Sequence, residues 1–130
     1  MIFIDSSFFV ALVDTKDHWH QKAKDLIPVV TNETIQISDL IIVESVSIVG
    51  KRSGGKAGEQ LYNYFTDNCH IIHLDEKLLR GGMSEFIKYD GTLSVSDAVS
   101  VFIMKKKRLD RIVSFDSDFD KVDGIMRVYE

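Results

Sequence analysis

Short apolar runs that break off into acids or serines alternate along this chain with longer segments whose apolar residues recur every three or four positions. "MIFI" (1–4) followed by Asp5, Ser6 and Ser7 reads as a buried strand handing over to a capped helix, which continues through "FFVALVD". After a polar break at 14–17, "HWHQKAKDLI" predicts a second amphipathic helix that Pro28 helps to end. "TIQIS" (34–38) alternates as a strand does, and Ser38 or Asp39 can cap the long apolar helix "LIIVESVSIVGKR". "KAGEQLYNYFTDN" predicts another helix and "CHIIHL" (69–74) another strand. "DEKLLRGGMSEFIKY" predicts a helix loosened by Gly81 and Gly82. "LSVSDAVSVFIMKKKR" follows, with Ser94 or Ser96 as its cap and lysines at its C-terminal end, before two last strands in "RIVSF" (111–115) and "IMRVYE" (125–130).

Strands alternating with helices imply an α/β fold, a three-layer α/β/α sandwich around a parallel sheet of about five strands. In such sheets ligands sit beyond the carboxyl ends of the strands, where the strand order reverses. Asp5 and Asp116 each stand directly after a predicted strand, the first sign of function.

At 130 residues, 45% hydrophobic and 28% charged, the chain has the composition of one globular domain, residues 1–130, with no linker, repeat or low-complexity segment. Its single cysteine, Cys69, makes an internal disulfide impossible. The apolar start lacks a basic leader and carries Asp5 in its middle, and no apolar run is long enough to span a bilayer, so a soluble cytoplasmic protein without a membrane partner is expected. The net charge of −4 excludes bulk attraction to polyanions. Any nucleic-acid contact must be local, and two basic clusters could supply it: "GKRSGGK" (50–56), with Lys51, Arg52 and Lys56, and "KKKR" (105–108). Both also sit where helices end, and cations are favourable there against the helix dipole.

Four carboxylates are hard to explain as surface. Asp5 follows "IFI" without a spacer, although it could serve as a helix cap. Glu44 lies inside "LIIVESVSIV", where an ionised carboxylate is costly unless paired or bound to a cation. Asp97 precedes the apolar "AVSVFIM", and Asp116 ends the buried run "RIVSF". Crowded at one end of one sheet, these acids would raise each other's pKa unless a positive charge sat among them. Oxygen ligands without a Cys or His cluster favour Mg²⁺ or Mn²⁺ over zinc, and such sites point to phosphoryl chemistry.

These residues carry a likeness. From "FIDSSFFVALVD" through "ISDLIIVESVSIV" and "LSVSDAVSVFIM" to "IVSFDSDFDKVDGI", the chain resembles the PIN domain, and within it the VapC-type ribonuclease toxins of type II toxin-antitoxin systems. Asp5, Glu44, Asp97 and Asp116 correspond in order to that pattern's acids. The resemblance implies an endoribonuclease using one or two Mg²⁺ or Mn²⁺ ions, frequent homodimerisation, and a cognate antitoxin that blocks the site. It also implies that Asp5, Asp97 and Asp116 hold metal, that Glu44 binds a second ion or orients an activated water, and that Ser6 and Ser114 support the acids. Asp118 matches the family's "D-x-D-F" form, with either metal contact or orientation of a neighbour as its role, while Asp120 belongs to the surface. Single-stranded or looped RNA is the implied substrate, since unstacked bases can be read individually.

Two other accounts fit the composition: a different Mg²⁺-dependent phosphotransferase or phosphatase, for which no activating lysine can be placed, and a non-catalytic module that binds RNA or antitoxin. "GKRSGGKA" departs from a phosphate loop by ending in Ala57 and by following a helix. His18, His20, His70 and His73 lack the partners and spacing of a zinc site.

Overall fold

The computed structural model describes residues 1–130. Its centre is β1 (Ile2–Ile4), buried at every residue and flanked on both sides by parallel neighbours. With β2 (Ile35–Ser38), β3 (Cys69–Ile72), β4 (Arg111–Val113) and β5 (Met126–Val128) it forms a five-stranded parallel sheet in the order β3-β2-β1-β4-β5. The chain starts in the middle, moves to one edge, then returns across β1 to build the other half.

Seven helices make the crossovers: α1 (Ser6–Val13), α2 (His20–Asp25), α3 (Ile27–Thr31), α4 (Asp39–Ser53), α5 (Gly55–Asn68), α6 (Glu76–Lys88) and α7 (Val95–Lys107). Parallel crossovers are right-handed, so reversing the direction of travel along the sheet moves the connecting helices to its other face. Hence α1 to α5 cover one face, where α1 packs on α2 and α4 and α4 packs on α5, and α6 with α7 cover the other. The sheet and its helices enclose a core of 28 buried residues. Burying each large apolar side chain of that core contributes about 1.5–3 kcal/mol. No helix is long and apolar enough to cross a membrane.

Local chemistry explains where the structure departs from the sequence pattern. α2 stops at Asp25, ahead of Pro28, which has no N–H to continue it; Pro28 also occupies the first turn of α3, where its missing N–H has no intrahelical acceptor to lose. The sequence's single helix over 18–27 is accordingly two, α2 and α3, with Leu26 between them. Gly81 and Gly82 do not loosen α6. A Cβ at Gly81 would lie 2.3 Å from the Phe102 ring, and one at Gly82 would lie 2.3 Å from Val99 Cγ2, so the glycines let α6 settle closely on α7. The run "CHIIHL" leaves the sheet after Ile72 because Asp39 draws the next residues away, its carboxylate accepting from the Leu74 N–H at 2.8 Å and contacting His73 Nδ1 at 3.0 Å. Ser38 stands at the N-cap of α4 without a side-chain cap bond. The predicted phosphate-loop look-alike is a helix-to-helix turn, with Gly54 at a φ of 94° between α4 and α5.

Candidate active site

The strand order reverses between β1 and β4, and the chain leaves both strands into short polar segments that touch. Asp5, directly after β1, donates its N–H to Val113 O at 3.0 Å and caps α1. The residue is 4% exposed. Oδ2 accepts from Ser7 Oγ at 2.8 Å, from Ser114 Oγ at 2.9 Å and, at the long distance of 3.5 Å, from the Ser7 N–H. None of these bonds uses Oδ1. Burial pushes the Asp5 carboxyl above its ordinary range and Glu44 adds to the rise, while the hydroxyls of Ser7 and Ser114 oppose it.

The same hydroxyls tie β1 to the segment after β4. Ser7 Oγ accepts from the Phe115 N–H at 3.0 Å, and Ser114 Oγ accepts from the Asp116 N–H at 3.0 Å. Asp116 then caps a 3-10 turn, Ser117–Lys121, accepting the Asp118 N–H on Oδ1 at 2.9 Å. The alternating acids of "FDSDFD" therefore do three different things. Asp116 turns into the cleft, Asp118 pairs with Lys121 at 3.0 Å on its wall, and Asp120 is held by Arg127 at 2.9 Å on the surface.

Glu44 comes from α4 on the sheet's first face, half-buried among apolar neighbours, and accepts a hydrogen bond from Ser6 Oγ. Asp97 comes from the other face, in the first turn of α7, where its N–H donates to Ser94 Oγ at 3.0 Å. Its carboxyl is pushed up to about 7 by burial first, then by the charges of Asp5 and Asp116, with Glu44 adding a smaller rise and Ser94 opposing. The positive end of α7 favours an acid at this position, yet burial, with the repulsion added to it, outweighs that effect.

All four acids line one cleft of about 470 Å³. Asp17 and Asp118 join them, so six carboxylates face a single guanidinium, Arg52. That guanidinium is already committed, lying 3.2 Å from Asp14 and 3.1 Å from Asp17. Asp5, Glu44, Asp97 and Asp116 form no salt bridge with any Lys or Arg. An all-oxygen donor set without an internal counter-charge fits a hard divalent cation in kind. It is not a ready-made coordination sphere: as the side chains stand, no three His, Cys, Asp or Glu groups are disposed to hold an ion.

Of the basic residues singled out in the sequence, Arg52 lines the cleft, while Lys51 is exposed and Lys56 lies beyond the Gly54 turn, 3.8 Å from Glu59. Ser7, Asp17 and Trp19 line the cleft without having been singled out as site residues in the sequence. Ser7, which carries as many bonds to the acids as Ser114, could have been noticed in "DSS". Trp19 stood between two histidines weighed only for zinc, and it lines the cleft against Phe115.

The family described as PIN domain matches residues 2–125. The 23S rRNA-specific endonuclease VapC20 of Mycobacterium tuberculosis is 26% identical over 121 residues, 92% of each chain. Its crystal structure, described as that of a Sarcin-Ricin loop cleaving toxin, superposes with a TM-score of 0.86 at 24% identity over 100% of both chains. VapBC2 from Rickettsia felis, solved bound to a DNA fragment from its promoter, matches with a TM-score of 0.72 at 14% identity over 98% of both chains. Acids drawn from four separated segments to the switch point of a β3-β2-β1-β4-β5 sheet, within a family match over residues 2–125, lead to one conclusion: the chain belongs to the PIN domain family.

Proposed function

We propose that this chain is a divalent-metal-dependent endoribonuclease and the toxin of a toxin-antitoxin pair. The observation that carries the reading is the cleft itself, where Asp5, Glu44, Asp97 and Asp116 meet with no cationic side chain paired to any of them. Asp5, Asp97 and Asp116 would hold Mg²⁺ or Mn²⁺, with Glu44 available to a second ion. Bound there, the ion supplies acidification of water and neutralisation of the charge that grows on the phosphate.

The chain's own residues do the rest. Ser7 and Ser114 fix Asp5 through Oδ2, which leaves Oδ1 for the cleft. Ser6 fixes Glu44 through Oε1, which leaves Oε2 to accept a proton released by the attacking water. Water attacking phosphorus forms the new P–O bond as the bond to the opposite 3′-oxygen breaks; that oxygen takes a proton from solvent, which leaves a 5′-phosphate and a 3′-hydroxyl. The relatives favour a looped RNA substrate, because VapC20 is named for 23S rRNA and its structure for the sarcin-ricin loop, so that loop is the first substrate to try. An antitoxin partner is favoured by the VapBC and toxin-antitoxin complexes among the related structures. A homodimer follows the resemblance, and light scattering measures it.

The test is Asp97→Asn, which keeps the shape of the side chain and removes its ionisable oxygen. Cleavage of looped RNA in Mg²⁺ or Mn²⁺ should fall at least about 100-fold while the circular dichroism spectrum stays parental. Equal cleavage by variant and parent would reject the assignment. Expression of the intact chain should slow growth and expression of the variant should not; a chain that never slows growth loses the toxin role even if it cuts RNA.

A further inference from the structure

Trp19 lines the acid cleft, and the hydrolytic reading leaves it without a task. Its indole lies flat on Phe115, with ring centres 5.0 Å apart and planes 3° from parallel, and Phe115 stacks in turn on Phe8 at 6.5 Å and 30°. This column of three rings rises from the core, through Phe115, to a half-buried tryptophan at the cleft. Apolar burial alone would favour closing the stack inside the protein; here its last ring stands at a polar, acid-lined opening.

The main chain at Trp19 is also held. The Trp19 backbone N–H donates to Asp17 Oδ1 at 2.9 Å, and Asp17 Oδ2 accepts from Arg52 at 3.1 Å, which links this segment to α4, the helix that carries Glu44. From below, Phe115 fixes the ring next to Asp116. His18 stands edge-on to the indole at 4.9 Å, and the Lys22 ammonium lies 5.9 Å from its centre. A planar surface is thus fixed to both sides of the catalytic cleft by short connections.

From this we infer that Trp19 is a substrate-positioning residue, the platform on which one base of single-stranded RNA stacks beside the phosphate that is cut. The inference rests on the nuclease reading and deepens it. Six carboxylates repel a phosphate backbone, so affinity from an uncharged π face suits this cleft better than further cations would. Stacking also tolerates any base, whereas hydrogen bonding to base edges does not. The stack orients the strand, and the acids act on the bond it presents.

Trp19 is the only tryptophan of the chain, so intrinsic fluorescence reports this one ring. The intact protein is titrated in Ca²⁺ with a single-stranded RNA of about 12 nucleotides, and with the same strand carrying one abasic ribose at each position in turn. Fluorescence should be quenched with the midpoint given by the anisotropy of labelled RNA. One abasic position should abolish the quenching and weaken binding roughly 5- to 150-fold. Trp19→Ala should weaken binding to the same extent and become indifferent to that position, whereas Trp19→Phe, which keeps a stacking ring, should stay within a few fold of the parent. Quenching by the parental protein in Ca²⁺ and its cleavage of RNA in Mg²⁺ are assayed apart, so that failed cleavage and failed stacking are read separately. Binding without quenching, an abasic series with no sensitive position, or no RNA binding at all would each overturn the proposal. The abasic series uses the parental protein, so misfolding of Trp19→Ala would not obscure the outcome.

Discussion

Removing the charge of Asp97 should make the metal-free protein more stable, although it removes one of the acids that line the cleft. The Asp97 carboxyl is displaced from 3.8 to about 7, by burial and then by Asp5 and Asp116. At 1.36 kcal/mol per pH unit, holding it ionised costs at most roughly 4 kcal/mol. Asp97 is only half-buried, and solvent screening reduces the figure to about 1–2 kcal/mol. Because the folded pKa lies above the unfolded one, the folded chain binds more protons between about pH 4 and pH 7. This group's contribution to stability therefore falls as pH rises through that window and is level above it. Asp97→Asn has no such dependence, and the amide retains a weaker interaction with Ser94. In EDTA, the melting temperature of the variant minus that of the parent should be near zero at pH 4 and grow to roughly 4–8 °C by pH 8. Mn²⁺ should then raise the parent and leave the variant nearly unmoved, because a ligand stabilises only a state that binds it. A difference in melting temperature that stays constant from pH 4 to pH 8, or a parent indifferent to Mn²⁺, would refute the electrostatic account.

Ser114→Ala should cost about 1–3 kcal/mol in urea denaturation, since the fully buried hydroxyl serves both Asp5 and the Asp116 N–H and its loss strands them. Gly82→Ala should cost a similar 1–3 kcal/mol by forcing a methyl into Val99, whereas Gly50→Ala, with nothing within 4 Å, should be neutral or slightly stabilising; thermal melts of the two distinguish close helix packing from a general penalty on helical glycines.

The fold was legible because its strands are short apolar runs with abrupt polar ends, and such ends are where a parallel sheet hands over to its helices. Asp5 and Asp116 were visible for the same reason: each is the first acid after a buried strand. Glu44 showed itself as a lone charge in an apolar helix, and its half-buried place beside Ser6 agrees with that unease. What could not be read depends on packing between distant segments. Gly81 and Gly82 look like helix breakers until Val99 and Phe102 are set against them. Lys51, Arg52 and Lys56 look like one basic patch. One step along a helix, however, turns a side chain by about 100°, and the Gly54 turn separates the third, so only Arg52 lines the cleft. Ser7 and Trp19 gain significance only from Ser114 and Phe115, about a hundred positions away.

Three elements from opposite faces of the sheet must meet for the site to exist, and their anchoring explains why a repulsive cluster persists in a folded chain. Asp5 and Asp116 are joined by hydroxyls across β1 and β4. Glu44 rides on α4, seated by Ile41, Ser45 and Val49, all buried at one turn's spacing. Asp97 rides on α7, which the glycines of α6 let approach closely and which Glu85 and Lys105 clasp at 3.0 Å. The apolar packing that seats these helices is separate from Asp5, Glu44, Asp97 and Asp116, so the repulsion can act on protonation and on attraction for a cation without displacing the side chains that produce it. A cleft held open in this way keeps its charge for the ligand, where differential binding can use it.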